Sequence, residues 1–286
     1  MTHPSCSRRT FLQTAGAGLG ALAAMSGAGA AAAEPGGKST PGTAKFQLGL
    51  ASYTTRKFGL EETLRMAKRV GLHYLCFKSV HLPLDATEEQ IRKTREEVEK
   101  AGLTLYGGGV ITMKNEAEVE QAFRYADLAG MSVIVGVPYP EVLAKVDAIL
   151  GDYPNIRVAI HNHGPGDKIY PTPEVAYEKI KGLNERLGLC VDIGHVTRYG
   201  EDPVRSIKTC AERVFDVHLK DVTKAAADGG ESEVGRGVID LPAVLTALIE
   251  IGFGGIASFE YEKDPDDPLP GLAESVGYVR GVLAML

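Results

Sequence analysis

Strand-type and helix-type segments alternate eight times along the chain, and this alternation restricts the fold more than any other feature of the sequence. The helix-type segments carry apolar residues three or four positions apart, as at Leu60, Leu64 and Ala67 in the first of them. Parallel strands joined by helices form either a closed barrel or an open doubly wound sheet. Eight such units in about 240 residues match the closed barrel. We therefore predict a single-domain α/β fold, a (β/α)8 TIM barrel, over residues 45–286.

The predicted elements follow from apolar runs, capping residues and chain breakers. Thr87 begins a charged helix, and Gln90, three residues later, completes a capping box. Pro138 ends the fourth strand. The predicted strands are 46–53, 74–78, 103–110, 131–137, 156–161, 189–192, 214–218 and 255–260. The predicted helices are 59–70, 87–101, 115–129, 141–150, 173–187, 203–213, 241–251 and 269–286.

The amino-terminal segment resembles an export signal rather than a part of the barrel. S-R-R-T-F-L-Q at residues 7–13 is similar to the twin-arginine motif, and an Ala/Gly run extends from there to Ala33. Interspersed Gly and Ser residues dilute this run, which argues against a stable membrane anchor. We expect residues 1–33 to be a twin-arginine signal peptide and residues 34–44 a flexible linker. The mature protein is then periplasmic or secreted.

The balance of charges excludes some classes of partner. The chain has 31 basic and 37 acidic residues, and removal of residues 1–33 would leave 29 basic residues against the 37 acidic ones. A net negative charge argues against nucleic acid and against anionic membranes as partners. The sequence leaves the oligomeric state open, so an oligomer is possible.

Four consecutive strands end in side chains that bind metal ions. His161, Asp192, His218 and Glu260 each lie at the C-terminal end of a predicted strand. Each shares its strand face with small or polar residues, such as Ala159 in the fifth strand, while bulky apolar residues occupy the opposite face. All four side chains should therefore point into the barrel at the end where barrel active sites lie. Two imidazoles and two carboxylates suit Mn²⁺, Mg²⁺, Co²⁺ or Zn²⁺. The alternative is four structural residues that are hydrogen-bonded or ion-paired.

The same strand ends carry a resemblance to a known family. H-N-H-G at 161–164, D-I-G-H at 192–195, V-H-L-K-D at 217–221, G-R-G-V-I-D at 235–240 and S-F-E at 258–260 resemble the sugar phosphate isomerase/epimerase family. This group of xylose isomerase-like TIM barrels also includes ketose 3-epimerases, inosose dehydratases and relatives of endonuclease IV. The resemblance covers nearly the whole mature chain and implies a divalent metal cofactor, with Mn²⁺ as first choice. By position, the implied metal ligands are His161, Asp192, His218 and Glu260.

One position departs from the family pattern. Similar ketose epimerases have E-N-H-G where this chain has residues 161–164, and they exchange a proton between two metal-bound glutamates. Because only Glu260 matches, we expect a sugar isomerase or epimerase-like enzyme that acts through a metal-stabilised enediolate with Glu260 as base. A lyase or dehydratase that eliminates from a keto-sugar or keto-glycoside shares the first step and is one alternative. A non-catalytic sugar-binding barrel is another.

Further basic residues and histidines follow the predicted strands. Lys220 keeps inward parity two residues after His218, and we predict that it is catalytic and stabilises an enolate or carbonyl oxygen. Its alternative role is a salt bridge with Asp221. Because export separates the protein from cytoplasmic sugar phosphates, the expected substrate is a small unphosphorylated carbohydrate. The candidate substrate-binding residues are His195, Lys78, His81, His163, Arg198 and Arg236.

Overall fold

The predicted strands form a closed parallel barrel in the computed structural model, which describes residues 46–286. The barrel strands are β1 (Gln47–Ala51), β2 (Tyr74–Phe77), β3 (Thr104–Met113), β4 (Val133–Pro138), β5 (Arg157–His161), β6 (Leu187–Asp192), β7 (Val214–Leu219) and β10 (Ile256–Phe259). β10 pairs with both β7 and β1 and so closes the ring. A short antiparallel pair, β8 (Asp221–Val222) and β9 (Glu231–Ser232), lies outside this ring.

At least one α-helix follows every barrel strand, and two follow β6. The helices are α1 (Leu60–Arg69), α2 (Glu88–Lys100), α3 (Glu116–Ala129), α4 (Leu143–Ile149), α5 (Pro173–Ile180), α6 (Ile193–Tyr199), α7 (Pro203–Thr209), α8 (Leu241–Glu250) and α9 (Leu269–Leu283). α2 begins at the predicted capping box, in which Thr87 accepts a hydrogen bond from the Gln90 N–H and the Gln90 side chain accepts one from the Thr87 N–H. The prediction of a (β/α)8 TIM barrel is confirmed.

Buried apolar side chains divide into two groups, one inside the barrel and one between the barrel and its helices. Strand alternation produces this division, since successive residues face opposite sides of the sheet. Ala159 and Cys190 belong to the inner group, while Val158, Leu189 and Val217 belong to the outer one. The predicted inward parity of these strands is therefore confirmed. The inner group is completed by Cys76, Tyr106, Val133 and Val135.

Two predicted helix ends are wrong, and one helix is absent from the prediction. The helix predicted over 173–187 ends at Ile180, and a turn in which the Asn184 side chain accepts a hydrogen bond from the Arg186 N–H (3.0 Å) leads into β6. The helix predicted over 203–213 ends at Thr209, and a 3-10 turn follows. α6 arises because the Asp192 side chain caps its first turn, a signal that the sequence analysis assigned to metal binding.

The predicted signal peptide (1–33) and linker (34–44) lie outside the described residues and stay predictions. Within residues 46–286, no helix combines the length and the apolar character needed to cross a membrane.

Candidate metal centre

The C-terminal ends of β5, β6, β7 and β10 bring His161, Asp192, His218 and Glu260 into one buried cluster, which we call the four-residue centre. One donor atom from each residue lies within 4.8 Å of the other three. His218 Nδ1 is 3.1 Å from Glu260 Oε2 and 3.2 Å from His161 Nε2. Asp192 Oδ2 is 3.4 Å from His161 Nε2 and 3.8 Å from His218 Nδ1.

These separations fit four ligands of one cation. Ligands about 2.1 Å from a metal ion are separated by roughly 3.0 Å in octahedral geometry and roughly 3.4 Å in tetrahedral geometry. The closest separations in the centre, 3.1 to 3.4 Å, lie in this range. Asp192 Oδ2 is also buried and accepts no well-aligned hydrogen bond among the described residues, although Lys220 Nζ lies 3.3 Å away. A buried carboxylate oxygen without an aligned donor is costly, and a bound cation would reduce that cost.

Lys220 lies among three carboxylates beside the centre. Its Nζ is 2.9 Å from Glu260 Oε2 and 3.3 Å from Asp192 Oδ2, and it donates a hydrogen bond to Glu262. Burial lowers the pKa of Lys220, but the carboxylates of Asp192 and Glu260 outweigh it and hold this pKa well above its usual value. Three carboxylates against one ammonium leave a surplus of negative charge, which suits a divalent cation. Gly194 gives Lys220 its space, because a Cβ there would lie 2.8 Å from Lys220 Cβ.

The protonation states of three residues in the centre suit a metal ion, whereas His218 must first lose a proton. Burial lowers the pKa of His218, but Cys190 and Glu260 outweigh it and hold this pKa well above its usual value. A bound metal ion would displace that proton.

Burial lowers the pKa of His161 to about 3, so this imidazole is neutral and keeps a lone pair for a metal. Burial opposes ionisation of Asp192 and Glu260, yet His195 and Lys220 hold the pKa of Asp192 well below its usual range. Lys220 and His218 do the same for the pKa of Glu260. The two carboxylates are therefore ionised at neutral pH.

Asn162 fixes the ends of β5 and β6 relative to each other. Its side-chain oxygen accepts a hydrogen bond from the Asp192 N–H (2.9 Å), and its amide donates one to the Asp192 carbonyl (3.2 Å). Asp192 Oδ1 then accepts a hydrogen bond from the His195 N–H (2.8 Å). With Oδ1 used for this cap, Oδ2 is directed at the centre. Asn162 is a site residue that the sequence analysis missed, although it stands between the two histidines of H-N-H-G.

A buried polar layer lies beneath the centre, inside the barrel. Asp216 accepts hydrogen bonds from the Tyr106 hydroxyl (2.8 Å) and the Cys190 thiol (3.4 Å), and Tyr106 also contacts the Ser258 hydroxyl (2.7 Å). Burial raises the pKa of Asp216 to about 6. Asp216 Oδ1 is 3.9 Å from His218 Nε2, on the side of the ring that faces away from the centre. His218 Nε2 has no hydrogen-bond partner among the described residues, so Asp216 acts on His218 through its charge rather than through a hydrogen bond.

The chain as a whole matches a known family. Residues 64–282 match the family described as Xylose isomerase-like TIM barrel, and this range includes all four residues of the centre. The protein belongs to this family.

Relatives of this xylose isomerase-like barrel include named proteins and a zinc-containing structure. The chain is 30% identical to Rhizopine catabolism protein MocC of Rhizobium meliloti over 138 residues, 43% of this chain and 42% of that protein. It is 26% identical to the inosose dehydratase of Lacticaseibacillus casei over 121 residues, 37% of this chain and 41% of that protein. The chain thus spans about two fifths of the length of these relatives. The structure of IOLI protein with a binding zinc atom has the same fold, with a TM-score of 0.71 and 20% identity over 84% of this chain and 99% of that chain.

Two further histidines of this xylose isomerase-like barrel lie at the mouth beside the centre. The ring centroid of His161 is 4.5 Å from that of His163 and 5.7 Å from that of His195. Burial lowers the pKa of His195 to about 4, so its ring is neutral at neutral pH. The Arg198 guanidinium donates a hydrogen bond to His195 Nδ1 (3.2 Å), which places the ring proton on Nε2, 3.8 Å from Asp192 Oδ2.

Lys78 lies at the end of β2, with its Nζ 5.2 Å from the centre of the Tyr53 ring. His81 and Arg236, two of the predicted substrate-binding residues, are engaged in contacts within the protein. His81 is buried, and its two ring nitrogens lie 2.9 Å from the hydroxyls of Ser52 and Thr63, so they are engaged within the protein. Arg236 forms a bidentate ion pair with Glu274 of α9 at the protein surface. Their predicted substrate-binding roles stay predictions.

Two acidic residues at the mouth, Glu231 and Glu262, are not among the site residues predicted from the sequence. Glu262 hydrogen-bonds to Lys220 and follows Glu260 by two positions, so strand parity could have indicated it. Glu231 lies in the long connection after β7 and forms an ion pair with Arg198 (3.3 Å). The sequence carries no periodic signal in this connection, and only the fold brings Glu231 to the mouth.

Proposed function

We propose that the protein is a divalent-metal-dependent sugar isomerase or epimerase-like enzyme with Glu260 as its base. The substrate is an unphosphorylated keto-sugar or a related carbohydrate, and the reaction begins with removal of a proton from the carbon beside the carbonyl. The observation that carries this proposal is the four-residue centre, in which four donor atoms lie within 4.8 Å of one another at the C-terminal end of the barrel.

His161, Asp192, His218 and Glu260 would hold the metal ion. When bound, it acidifies the C–H between a carbonyl and a neighbouring hydroxyl group. Two imidazoles and two carboxylates form a borderline ligand set, for which we propose Mn²⁺, and Mg²⁺, Co²⁺ and Zn²⁺ share this chemistry. The neutral ring of His161 contributes a ligand without adding a third negative charge to the centre.

Glu260 accepts the proton from carbon. Lys220, 2.9 Å from its Oε2, keeps the carboxylate ionised and therefore ready to act as a base. A carboxylate held this strongly ionised is a weak base, so it requires a substrate whose C–H is already acidic. The Lys220 charge also stabilises the negative charge that develops on the enediolate. His195, as a neutral Nε2–H donor, binds a substrate oxygen.

The charges at the mouth support an uncharged substrate. Arg198 and Lys220 are paired with the carboxylates of Glu231 and Glu262, so their positive charges are already engaged within the protein rather than offered to a phosphate group. His163, Arg198 and Lys78 line the same mouth and are proposed to bind hydroxyl groups. The proposed export signal agrees with such a substrate, because it would place the mature protein in the periplasm or outside the cell. Export is tested by fractionating cells that express the full chain with Arg8 and Arg9 both replaced by Lys, which should retain the protein in the cytoplasm.

Elimination is the second candidate reaction, and two observations favour it. The curated relatives include an inosose dehydratase, and the centre holds one glutamate rather than two. A lyase uses the same proton removal by Glu260 and then expels a substituent from the next carbon. A keto-sugar or keto-glycoside would be its substrate.

Hydrogen exchange with solvent tests the shared first step. The Mn²⁺-loaded protein in D₂O should introduce deuterium beside the carbonyl of a keto-sugar, and mass spectrometry of the products separates an isomer from an eliminated product. Glu260→Gln should slow exchange by at least about 100-fold. Binding of sugar without any exchange would indicate a non-catalytic sugar-binding barrel instead. Full exchange by the Glu260→Gln variant would remove Glu260 as the base.

A further inference from the structure

A glutamate outside the four-residue centre lies among the charged neighbours of that centre. Glu231 belongs to β9, which pairs with β8 directly after Lys220, so that Val222 is opposite Glu231. The Glu231 side chain is 18% exposed, and its Oε1 is 3.3 Å from Arg198 Nη2. Arg198 in turn hydrogen-bonds to His195 at the mouth. A contiguous chain of contacts thus connects Glu231 with the site.

The loop that carries Glu231 is tightly fixed. The Asp221 carboxylate accepts hydrogen bonds of 2.9 to 3.1 Å from the backbone N–H groups of Val222, Gly235, Gly237 and Ile239. These bonds hold the start of the loop and its return against each other. A carboxyl group on a fixed loop can be placed against a substrate with the precision that catalysis requires.

The surroundings of Glu231 suit a group that both gives and takes a proton. Burial raises the pKa of Glu231 to about 7, against the lowering effect of Lys220 and Arg198. The carboxylates of Glu262 and Asp192 act in the same direction as burial. These four residues are the charged groups that act on Glu231 from β6, α6 and the segments that follow β7 and β10. Near neutral pH both protonation states of Glu231 are populated, as acid–base catalysis requires.

We propose that Glu231 is the second catalytic carboxyl group and donates the proton that Glu260 does not transfer. This inference rests on the proposed function. The four-residue centre contains a single glutamate, so proton transfer at a second face of the substrate needs a group from elsewhere. Among the acidic residues at the mouth, Glu262 is hydrogen-bonded to the buried Lys220, whereas Glu231 is paired only with Arg198 among the described residues.

The proposed step balances for both candidate reactions. In epimerisation, Glu260 takes the proton, the C–H electrons form the enediolate, and protonated Glu231 gives its proton to the same carbon from the other face. In elimination, the enediolate electrons form a new C=C bond as the C–O bond breaks. The leaving oxygen keeps the electron pair of the C–O bond and takes the proton from Glu231. In either case Glu260 ends protonated and Glu231 ionised. Proton exchange with water restores both groups.

The test compares Glu231→Gln with Glu233→Gln, a matched control in the same loop that is paired with Lys263 (2.7 Å). The probes are scyllo-inosose, D-fructose and L-ribulose, each incubated in D₂O with the Mn²⁺-loaded protein. Glu231→Gln should exchange deuterium into the recovered substrate within about 3-fold of the wild-type rate but form product at least about 100-fold more slowly. Glu233→Gln should match the wild type in both measurements.

Other outcomes decide against the proposal. Product formation by Glu231→Gln within about 3-fold of wild type, or an equal loss of exchange and product in the folded, metal-loaded variant, would overturn it. If Glu231→Gln does not fold, the wild-type pH dependence decides. Product formation should then fall above about pH 7 while exchange does not, and parallel profiles would overturn the role of Glu231. Absence of exchange by the wild type with every probe would refute the proposed function itself, and this role with it.

Discussion

Replacing Asp221 with Asn should destabilise the loop that follows β7, and the structure gives the size of the effect. Asp221 is fully buried, and each of its two oxygens accepts two backbone hydrogen bonds. Asn retains one oxygen and places an NH₂ group where the other oxygen accepts. Two hydrogen bonds to a charged group are therefore lost, and two N–H groups face a donor.

A hydrogen bond to a charged group contributes about 1.5 to 3 kcal/mol, so the loss of two amounts to roughly 3 to 6 kcal/mol. The N–H groups of Gly235 and Gly237 are only partly buried, and water can satisfy them in part. We therefore expect Asp221→Asn to lower the free energy of unfolding by about 3 kcal/mol. For a domain of this size, this corresponds to a fall in Tm of roughly 6 to 12 °C.

Urea denaturation followed by circular dichroism measures this loss, at a fixed Mn²⁺ concentration for every variant. Asp240→Ala is the control, since Asp240 accepts a single exposed hydrogen bond at the start of α8 and should cost about 1 kcal/mol. If Asp221→Asn were no more destabilising than Asp240→Ala, Asp221 would not hold the loop in the way its four contacts indicate.

Three other changes have defined outcomes. Removing the metal with EDTA should lower Tm, and Mn²⁺ at 100 to 1,000 times its Kd should restore about 3 to 4 kcal/mol of unfolding free energy. Calorimetry measures both changes, and an unchanged Tm would contradict a metal site. In metal-free protein, the free energy of unfolding should fall as pH drops from 6.5 toward about 3, because His161 takes up a proton in the unfolded state but not when buried. Urea titrations at several pH values measure this slope, and His161→Gln should flatten it. Gly194→Ala would place a Cβ 2.8 Å from Lys220 Cβ, and it should lower the free energy of unfolding by about 1 to 3 kcal/mol. It should also slow deuterium exchange. If the variant exchanged at the wild-type rate, Lys220 would not need its present position.

Strand periodicity explains why so much of the centre was predictable. His161, Asp192, His218 and Glu260 are fixed by two regularities, the alternation of faces along a strand and the shared end of parallel strands. Neither regularity depends on loop conformation. The structure places all four donor groups within 4.8 Å of one another, as the parity argument predicts.

Features that depend on loops and caps were less accessible from the sequence. His81 follows β2 in a loop, and its burial against Ser52 and Thr63 depends on how that loop folds back over α1. The two carboxylate oxygens of Asp192 have different contacts: Oδ1 caps α6 and Oδ2 faces the four-residue centre. The sequence alone does not indicate this division. Glu231 is held by the pairing of β9 with β8, in a loop whose ends are joined by hydrogen bonds to Asp221. Such contacts join residues without any periodic relation in the chain.

The hydrogen bonds to the Asp221 carboxylate also divide the loop after β7 into a fixed part and an exposed part. These bonds and the β8-β9 pair hold residues 221–222 and 231–239, whereas residues 223–228 between them are largely exposed. Lengthening an exposed loop whose ends are already held together costs little conformational entropy. The tip at residues 225–227 is therefore a place where insertions can lengthen the connection after β7 with the four-residue centre left in place. The length of the chain can vary there without disturbing the hydrogen bonds that hold the segment of Glu231.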